Sequence, residues 1–326
     1  MEEELLGRWL LFCSVVVILI FTLGVLTAIY IVRNDNNNSC NNIKIDKDYI
    51  NLMKTENKKN FNYIYSTDTW INYCKKRMKE LEHIYYPEPL LDHKLNIVFI
   101  DFRKGEHFEY IIKNSLIKLK GDCIITFVCG PDNYQFVKDL CNDISENIYI
   151  IKRDKNIKNI QDYNKLCYDL NFWKKLKGDK ILIHQFDAFI LNSNINDFIN
   201  YDYVGGYWFN QRYNTHVGNG GLSLRTKNVI IKILKERKLK KYLMGDSFSL
   251  RSKEVIINIL ENYKIINKIP EDIFFGNVLK NNTKYGKIAP DNIAKNFSIE
   301  GSFNSNKFGC HKFWRDGIYF NDNLIF

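Results

Sequence analysis

The stretch Leu95–Cys129, LNIVFIDFRKGEHFEYIIKNSLIKLKGDCIITFVC, sets two short apolar runs on either side of an amphipathic one. L-N-I-V-F-I-D-F (Leu95–Phe102) is apolar at consecutive positions, which predicts a strand buried on both faces. Phe108–Leu119 carries its apolar residues at helical spacing. C-I-I-T-F-V-C (Cys123–Cys129) is a second buried strand. A strand–helix–strand unit of this kind joins parallel neighbours through a crossover helix.

The pattern continues outward from that unit. A turn at Gly130-Pro131-Asp132 leads to a helix over Tyr134–Ile144 and a strand over Ile148–Lys152. A longer helix follows over Gln161–Leu176, then a strand over Lys180–Leu191. The alternation predicts an α/β fold with a mostly parallel central sheet covered by helices on both faces. Ligands on such sheets bind at the carboxyl ends of strands. Asp187, in K-I-L-I-H-Q-F-D-A-F-I-L, falls there.

Five segments follow from composition: a tail (1–8), an apolar run (9–32), a polar stalk (33–60), a helical lead-in (61–94) and the α/β domain (95–326). The lead-in holds a helix around Trp70–His83, closed by Pro87 and Pro89. Trp9–Val32 is uncharged and mostly apolar; as a helix it measures about 36 Å, enough to cross a hydrocarbon core of about 30 Å. It is too long for a signal peptide and lacks a cleavage site. A single transmembrane helix preceding the domain is therefore expected, in an endomembrane or a viral membrane. Arg8 lies on one side, and Arg33, Lys44 and Lys47 on the other. That count favours a cytosolic domain, whereas work on lumenal glycans needs the opposite, so both orientations stand.

The net charge of +10 favours phosphorylated ligands, polyanions or anionic lipid surfaces. Its densest cluster, Lys235–Lys241, reads as a solvated helix end. No nucleic-acid-binding signature accompanies the charge, so nucleic acid is not an expected partner. The 8 cysteines show no paired C-x-x-C spacing. They are expected to be mostly buried thiols, with one or two disulfides if the domain is lumenal. Sequons at Asn37, Asn281 and Asn296 are what an asparagine-rich chain contains by chance. Ser223–Leu234 (SLRTKNVIIKIL) is repeated as Ser249–Leu260 (SLRSKEVIINIL). A single such pair reads as a local duplication that added a packing helix, not as a solenoid.

The residues suited to chemistry are scattered. A carboxylate amid apolar strand residues, as at Asp187, is costly to bury unless it is paired or holds a cation. Magnesium and manganese take oxygen ligands, often one or two carboxylates plus substrate phosphates. The alternative is an aspartate capping a turn. Gly218-Asn219-Gly220-Gly221 allows positive φ and close approach of a ligand; it leads into L-S-L-R, whose Arg225 can contact a phosphate or pair with a carboxylate. Upstream, Trp208 offers a face for a sugar ring, or packs in the core. Pro270 marks a helix start, so Glu271 and Asp272 serve either the helix dipole or acid–base chemistry. In the second case Asp272 is the general base and Glu271 binds the acceptor or exchanges roles with it. His311, in F-G-C-H-K-F-W, suits a metal, and Lys312 a diphosphate.

Six blocks occur in order: Q-F-D, Y-D-Y-V-G-G-Y-W, G-N-G-G-L-S-L-R, P-E-D-I-F-F, A-K-N-F-S-I-E and F-G-C-H-K-F-W. Together, over roughly Leu95–Trp314, they resemble a glycosyltransferase-like domain family of unknown function found in giant viruses, fungi and plants. More distantly they are similar to GT-A-fold glycosyltransferases. The resemblance implies a GT-A-like fold, a nucleotide-sugar donor, a glycan, protein or lipid acceptor, and a divalent cation, Mn or Mg. It implies Asp187 and His311 as metal ligands, Gly220-Gly221 lining the donor–acceptor site, and Glu271/Asp272 serving the acceptor. Gln185 stands where the first aspartate of a D-x-D motif would be, which weakens or rearranges metal binding there.

The expected function is a membrane-anchored, metal-assisted, inverting glycosyltransferase. Its donor and acceptor contacts would be Gln185, Gly218, Asn219, Gly220, Gly221, Arg225, Trp208 and Lys312. The alternatives are a catalytically inactive sugar- or nucleotide-binding domain and a structural membrane protein with a lipid-facing basic surface.

Overall fold

The computed structural model describes residues 63–64, 66–81, 84–212, 215–238, 270–299, 306–312 and 318–319. The expected transmembrane run 9–32, the stalk and the second repeat copy lie outside the described residues. Among the described residues no helix is long and apolar enough to cross a membrane.

In chain order the first half comprises β1 (Tyr63–Ile64), α1 (Thr67–Leu81), β2 (Leu95–Ile100), α2 (Phe108–Leu119), β3 (Ile124–Cys129), α3 (Tyr134–Ile144), β4 (Tyr149–Lys152), α4 (Ile160–Cys167), α5 (Leu170–Lys175), β5 (Lys180–His184) and β6 (Ala188–Ile190). The second half comprises β7 (Tyr203–Val204), β8 (Gly206–Arg212), β9 (Thr215–Gly218), β10 (Leu222–Thr226), α6 (Lys227–Lys238), α7 (Glu271–Asn281), α8 (Asp291–Phe297), β11 (Ser298–Ile299), β12 (Gly309–His311) and β13 (Ile318–Tyr319).

The central sheet runs β4-β3-β2-β5-β10-β7. Its first four strands are parallel, and β10 is antiparallel to both β5 and β7. Alternate side chains of each strand enter opposite cores. Ile97, Phe99, Ile125, Phe127 and Leu182 pack with Trp70 of α1, Tyr110 of α2 and Val137 of α3. Val98, Ile100, Val128, Ile181 and Ile183 pack with Tyr163 of α4, Trp173 of α5, Ile230 of α6 and Phe275 of α7. Helices therefore cover both faces of a mainly parallel sheet, which is why the strands read as continuous apolar runs.

Two expected elements are each split in two. The strand expected over Lys180–Leu191 is β5, a turn at Gln185–Asp187, and β6, which belongs to a second sheet ordered β11-β12-β6. The turn closes by Ala188 N–H donating to Gln185 O at 3.0 Å. Phe186, fully buried, enters the core between Phe108 (ring centroids 3.6 Å apart) and Phe99 (5.0 Å). The long helix expected over Gln161–Leu176 is α4 and α5, because Asp169 caps a new start by accepting from Asn171 N–H at 2.9 Å.

Candidate active site

The turn between β5 and β6 carries Asp187 out at the carboxyl end of the parallel strands. In the second sheet β12 pairs antiparallel with β6, setting His311 opposite Ala188. Lys312 N–H then donates to Asp187 O at 3.0 Å, so its backbone pins the turn. The side chains follow: His311 Nε2 lies 3.3 Å from Asp187 Oδ1, and Lys312 Nζ lies 3.2 Å from Oδ2. The imidazole and the ammonium thus each face one oxygen of the Asp187 carboxylate. Burial pushes the Asp187 carboxyl up, but His311 and Lys312 outweigh it and hold the group well below the usual carboxylate range. Asp187 is an ionised, partly buried carboxylate.

The glycine loop meets this pair. Gln185 N–H donates to Gly221 O at 2.8 Å, tying loop to turn. A Cβ on Gly221 would lie 2.2 Å from His311 Nε2, so residue 221 is glycine to make room for the imidazole. Positive φ, expected of the glycines, falls instead on Asn219, at 71°. Its Oδ1 accepts from Gly221 N–H at 3.0 Å, a local bond that favours this conformation. Gly218 lies against the indole of Trp208, where a Cβ would come within 2.0 Å of the ring. Trp208 is buried, and that ring surface is covered by the chain.

One residue earlier in the loop, Gly220 meets the acidic pair. Its N–H donates to Asp272 Oδ2 at 3.0 Å, and a Cβ would lie 2.6 Å from Glu271 Oε1. The two acids have different surroundings. Asp272 is half-buried. Glu271 is 1% exposed and faces Arg225, 0% exposed, in a two-pronged pair whose Nη2–Oε1 arm measures 2.9 Å. Arg225 and Glu271 thus occupy each other, so the structure brings neither into open contact with a ligand.

Several residues here were not singled out from the sequence. Asp101, at the carboxyl end of β2, accepts from Arg103 Nε at 3.0 Å and Nη2 at 2.6 Å. That hydrogen bonding, against burial and with help from the charges of Asp101 and Asp187, holds the guanidinium above its ordinary value. Arg103 therefore lies in the field of Asp187, with its side chain 72% exposed. Asn133 Nδ2 donates to Asp101 O (3.1 Å) and Arg103 O (2.8 Å), fixing this segment on the turn after β3. Tyr163 on α4 donates to Gly220 O at 3.3 Å. The one available signal was a D-x-R placed directly after a buried strand.

Asp187 and His311 fit a hard divalent cation in a limited way. Two donors about 2.1 Å from one ion and at right angles lie about 3 Å apart; the observed separation is 3.3 Å. Among the described residues no three His, Cys, Asp or Glu side chains form a metal-holding group, so substrate oxygens would complete the shell. A cavity of about 530 Å³, lined by Asp92, His93, Lys94, Gly178, Asp179 and Lys227, opens at the amino ends of β2 and β5, away from this cluster.

Residues 147–311, which contain every candidate except Lys312, match a family described as "Protein of unknown function (DUF5672)". The chain belongs to that family. None of the curated proteins matches it. Among solved structures, a mannosyltransferase from Pyrobaculum calidifontis in complex with GDP-Man and Mn2+ is 10% identical, over 50% of this chain and 54% of that one, with a TM-score of 0.33. A 4-diphosphocytidyl-2C-methyl-D-erythritol synthase from Anaerococcus prevotii is 13% identical, over 58% and 96%, with a TM-score of 0.32. The apo glycosyltransferase GlyE of Streptococcus pneumoniae is 14% identical, over 52% and 43%, with a TM-score of 0.31. The chain thus spans about half the length of the mannosyltransferase.

Proposed function

We propose that this family member is a GT-A-like glycosyltransferase that moves a sugar from a nucleotide-sugar donor to an acceptor hydroxyl. The observation that carries the reading is convergence. Asp187 and His311, remote in sequence, lie 3.3 Å apart, and the adjoining loop residues touch His311 on one side and Asp272 on the other. The cluster occupies the carboxyl end of a parallel sheet, where such folds bind ligands.

In the proposed reaction Asp272 takes the proton of the acceptor hydroxyl as its oxygen bonds to the anomeric carbon. The bond from that carbon to the diphosphate oxygen breaks, and its electron pair leaves with the nucleoside diphosphate. Displacement in one step inverts the anomeric centre. Lys312 and the exposed Arg103 offset the charge gathering on the diphosphate. A divalent cation held by Asp187 and His311 would supply further charge neutralisation there. Asp272 suits the base better than Glu271, because it is half-buried and held by neutral backbone donors, whereas Glu271 is enclosed and ion-paired with Arg225. The apolar run 9–32 supports a membrane-tethered form of this enzyme.

Incubating the full chain with pooled nucleotide sugars, with and without Mn2+, should release a nucleoside diphosphate. Asp187→Ala and Asp272→Asn should each cut that release by at least about 100-fold while the fold, read by circular dichroism, is kept. Full activity in both variants would refute these roles. A second reading, a silent sugar- or nucleotide-binding domain, is favoured by Gln185 in place of a first aspartate and by the lack of a third protein ligand among the described residues. Calorimetric binding of a nucleotide sugar with no release would select it.

A further inference from the structure

We infer that the buried Arg225–Glu271 pair is a positioning device: it fixes the peptide of Gly220 and, through it, the carboxylate of Asp272. The role of Asp272 as base rests on the transferase reading above, whereas the geometric claim can be tested without it.

Both charges are stripped of water, at 0% and 1% exposure. Pairs of this kind contribute little net stability, because desolvation offsets their attraction, and apolar replacements of similar volume are often tolerated. What a two-pronged guanidinium–carboxylate contact does supply is direction. Arg225 has little freedom to turn. Its guanidinium lies 5.2 Å from the Tyr203 ring centre and 5.9 Å from those of Trp173 and Phe275, and Nε donates to Ser223 Oγ at 3.0 Å. Burial pushes the Glu271 carboxyl up and Arg225 opposes the rise, so the acid depends on its partner to stay ionised.

The fork sets the plane of the Glu271 carboxylate and places Oε1 2.6 Å from where a Cβ of residue 220 would stand, too close for one. Only glycine fits, and its peptide is then held on several sides. Its N–H donates to Asp272 Oδ2 at 3.0 Å, and its carbonyl accepts from Tyr163 Oη at 3.3 Å. Ile273 N–H donates to Asp272 Oδ1 at 2.9 Å. Asp272 thus has a backbone donor on each oxygen, and one of those donors lies wherever the Arg225–Glu271 pair puts it. Glu271 is a positioning residue, not a catalytic one.

The test uses the full chain carrying Arg225→Met with Glu271→Leu, an apolar pair that keeps the volume and removes the fork. Its melting temperature should stay near the parent's, while backbone hydrogen exchange over residues 217–225 should quicken about tenfold through loss of the Gly220 anchorage. With pooled nucleotide sugars and Mn2+, kcat for nucleotide release should fall about 100-fold with the donor KM unchanged, as a misplaced base requires. Gly220→Ala, which leaves the ion pair in place but presses on Oε1, should reproduce the loss of kcat and serves if the double variant does not fold. Parent-like loop exchange in the double variant, or parent-like kcat in Gly220→Ala, overturns the inference. A parent that releases no nucleotide defeats the transferase reading instead, and the exchange measurement then decides the positioning claim alone.

Discussion

At the scale of single residues, identity and role separate most clearly in the acidic pair and the glycine loop. Glu271 and Asp272 are neighbours of like charge, yet one is enclosed with Arg225 and the other stands half-buried against the loop. Local sequence does not distinguish them, since the partner that enclosed Glu271 arrives from β10. The glycines likewise serve clearance, not backbone freedom. Gly221→Ala should therefore displace the His311 imidazole, because its new methyl would stand 2.2 Å from Nε2. The crowding should cost about 1–3 kcal/mol of stability, read by thermal melting, and should remove nucleotide release. An active, parent-stable Gly221→Ala would show that His311 is free to move without consequence.

At the scale of elements, helices over Phe108–Leu119 and Tyr134–Ile144 were legible to the residue, because their apolar periodicity is local. The breaks inside Lys180–Leu191 and Gln161–Leu176 were not. The first is made by Gly221 O capturing Gln185 N–H and by Phe186 entering the core, contacts that an apolar run does not announce. The second is made by a cap. Asp169 starts α5 by accepting from Asn171 N–H and also meets Arg153 at 3.4 Å. Asp169→Ala should cost about 1 kcal/mol, visible as a lower melting temperature with nucleotide release retained. An unchanged melt would mean that α4 and α5 hold their break without the cap.

At the scale of the whole molecule, two buried histidines tie stability to pH. Burial lowers His107 and His184 from 6.5 to about 4. The unfolded chain takes up their protons near pH 6.5 and the folded one only near pH 4, so their contribution is complete above pH 6.5 and is lost as the pH falls towards 4. Each shift corresponds to roughly 3 kcal/mol. The melting temperature should fall across that window, and replacing both histidines with phenylalanine should flatten the fall. An equally steep profile in the double variant would place the acid sensitivity elsewhere.

The order of strands and helices from Leu95 to Lys152 and the two-sided burial of the sheet were readable from the chain alone, because hydrophobic period and turn chemistry act over a few residues. The chain also offered a short set of candidate site residues, without Asp101, Arg103 or Tyr163 among them. Tertiary structure alone decided how those residues are shared out: Asp187 with His311 and Lys312, Glu271 with Arg225, Asp272 with Gly220. A buried charge settles on whichever opposite charge or donor the packing brings within about 3 Å, and that partner comes from strands and helices far away in the sequence.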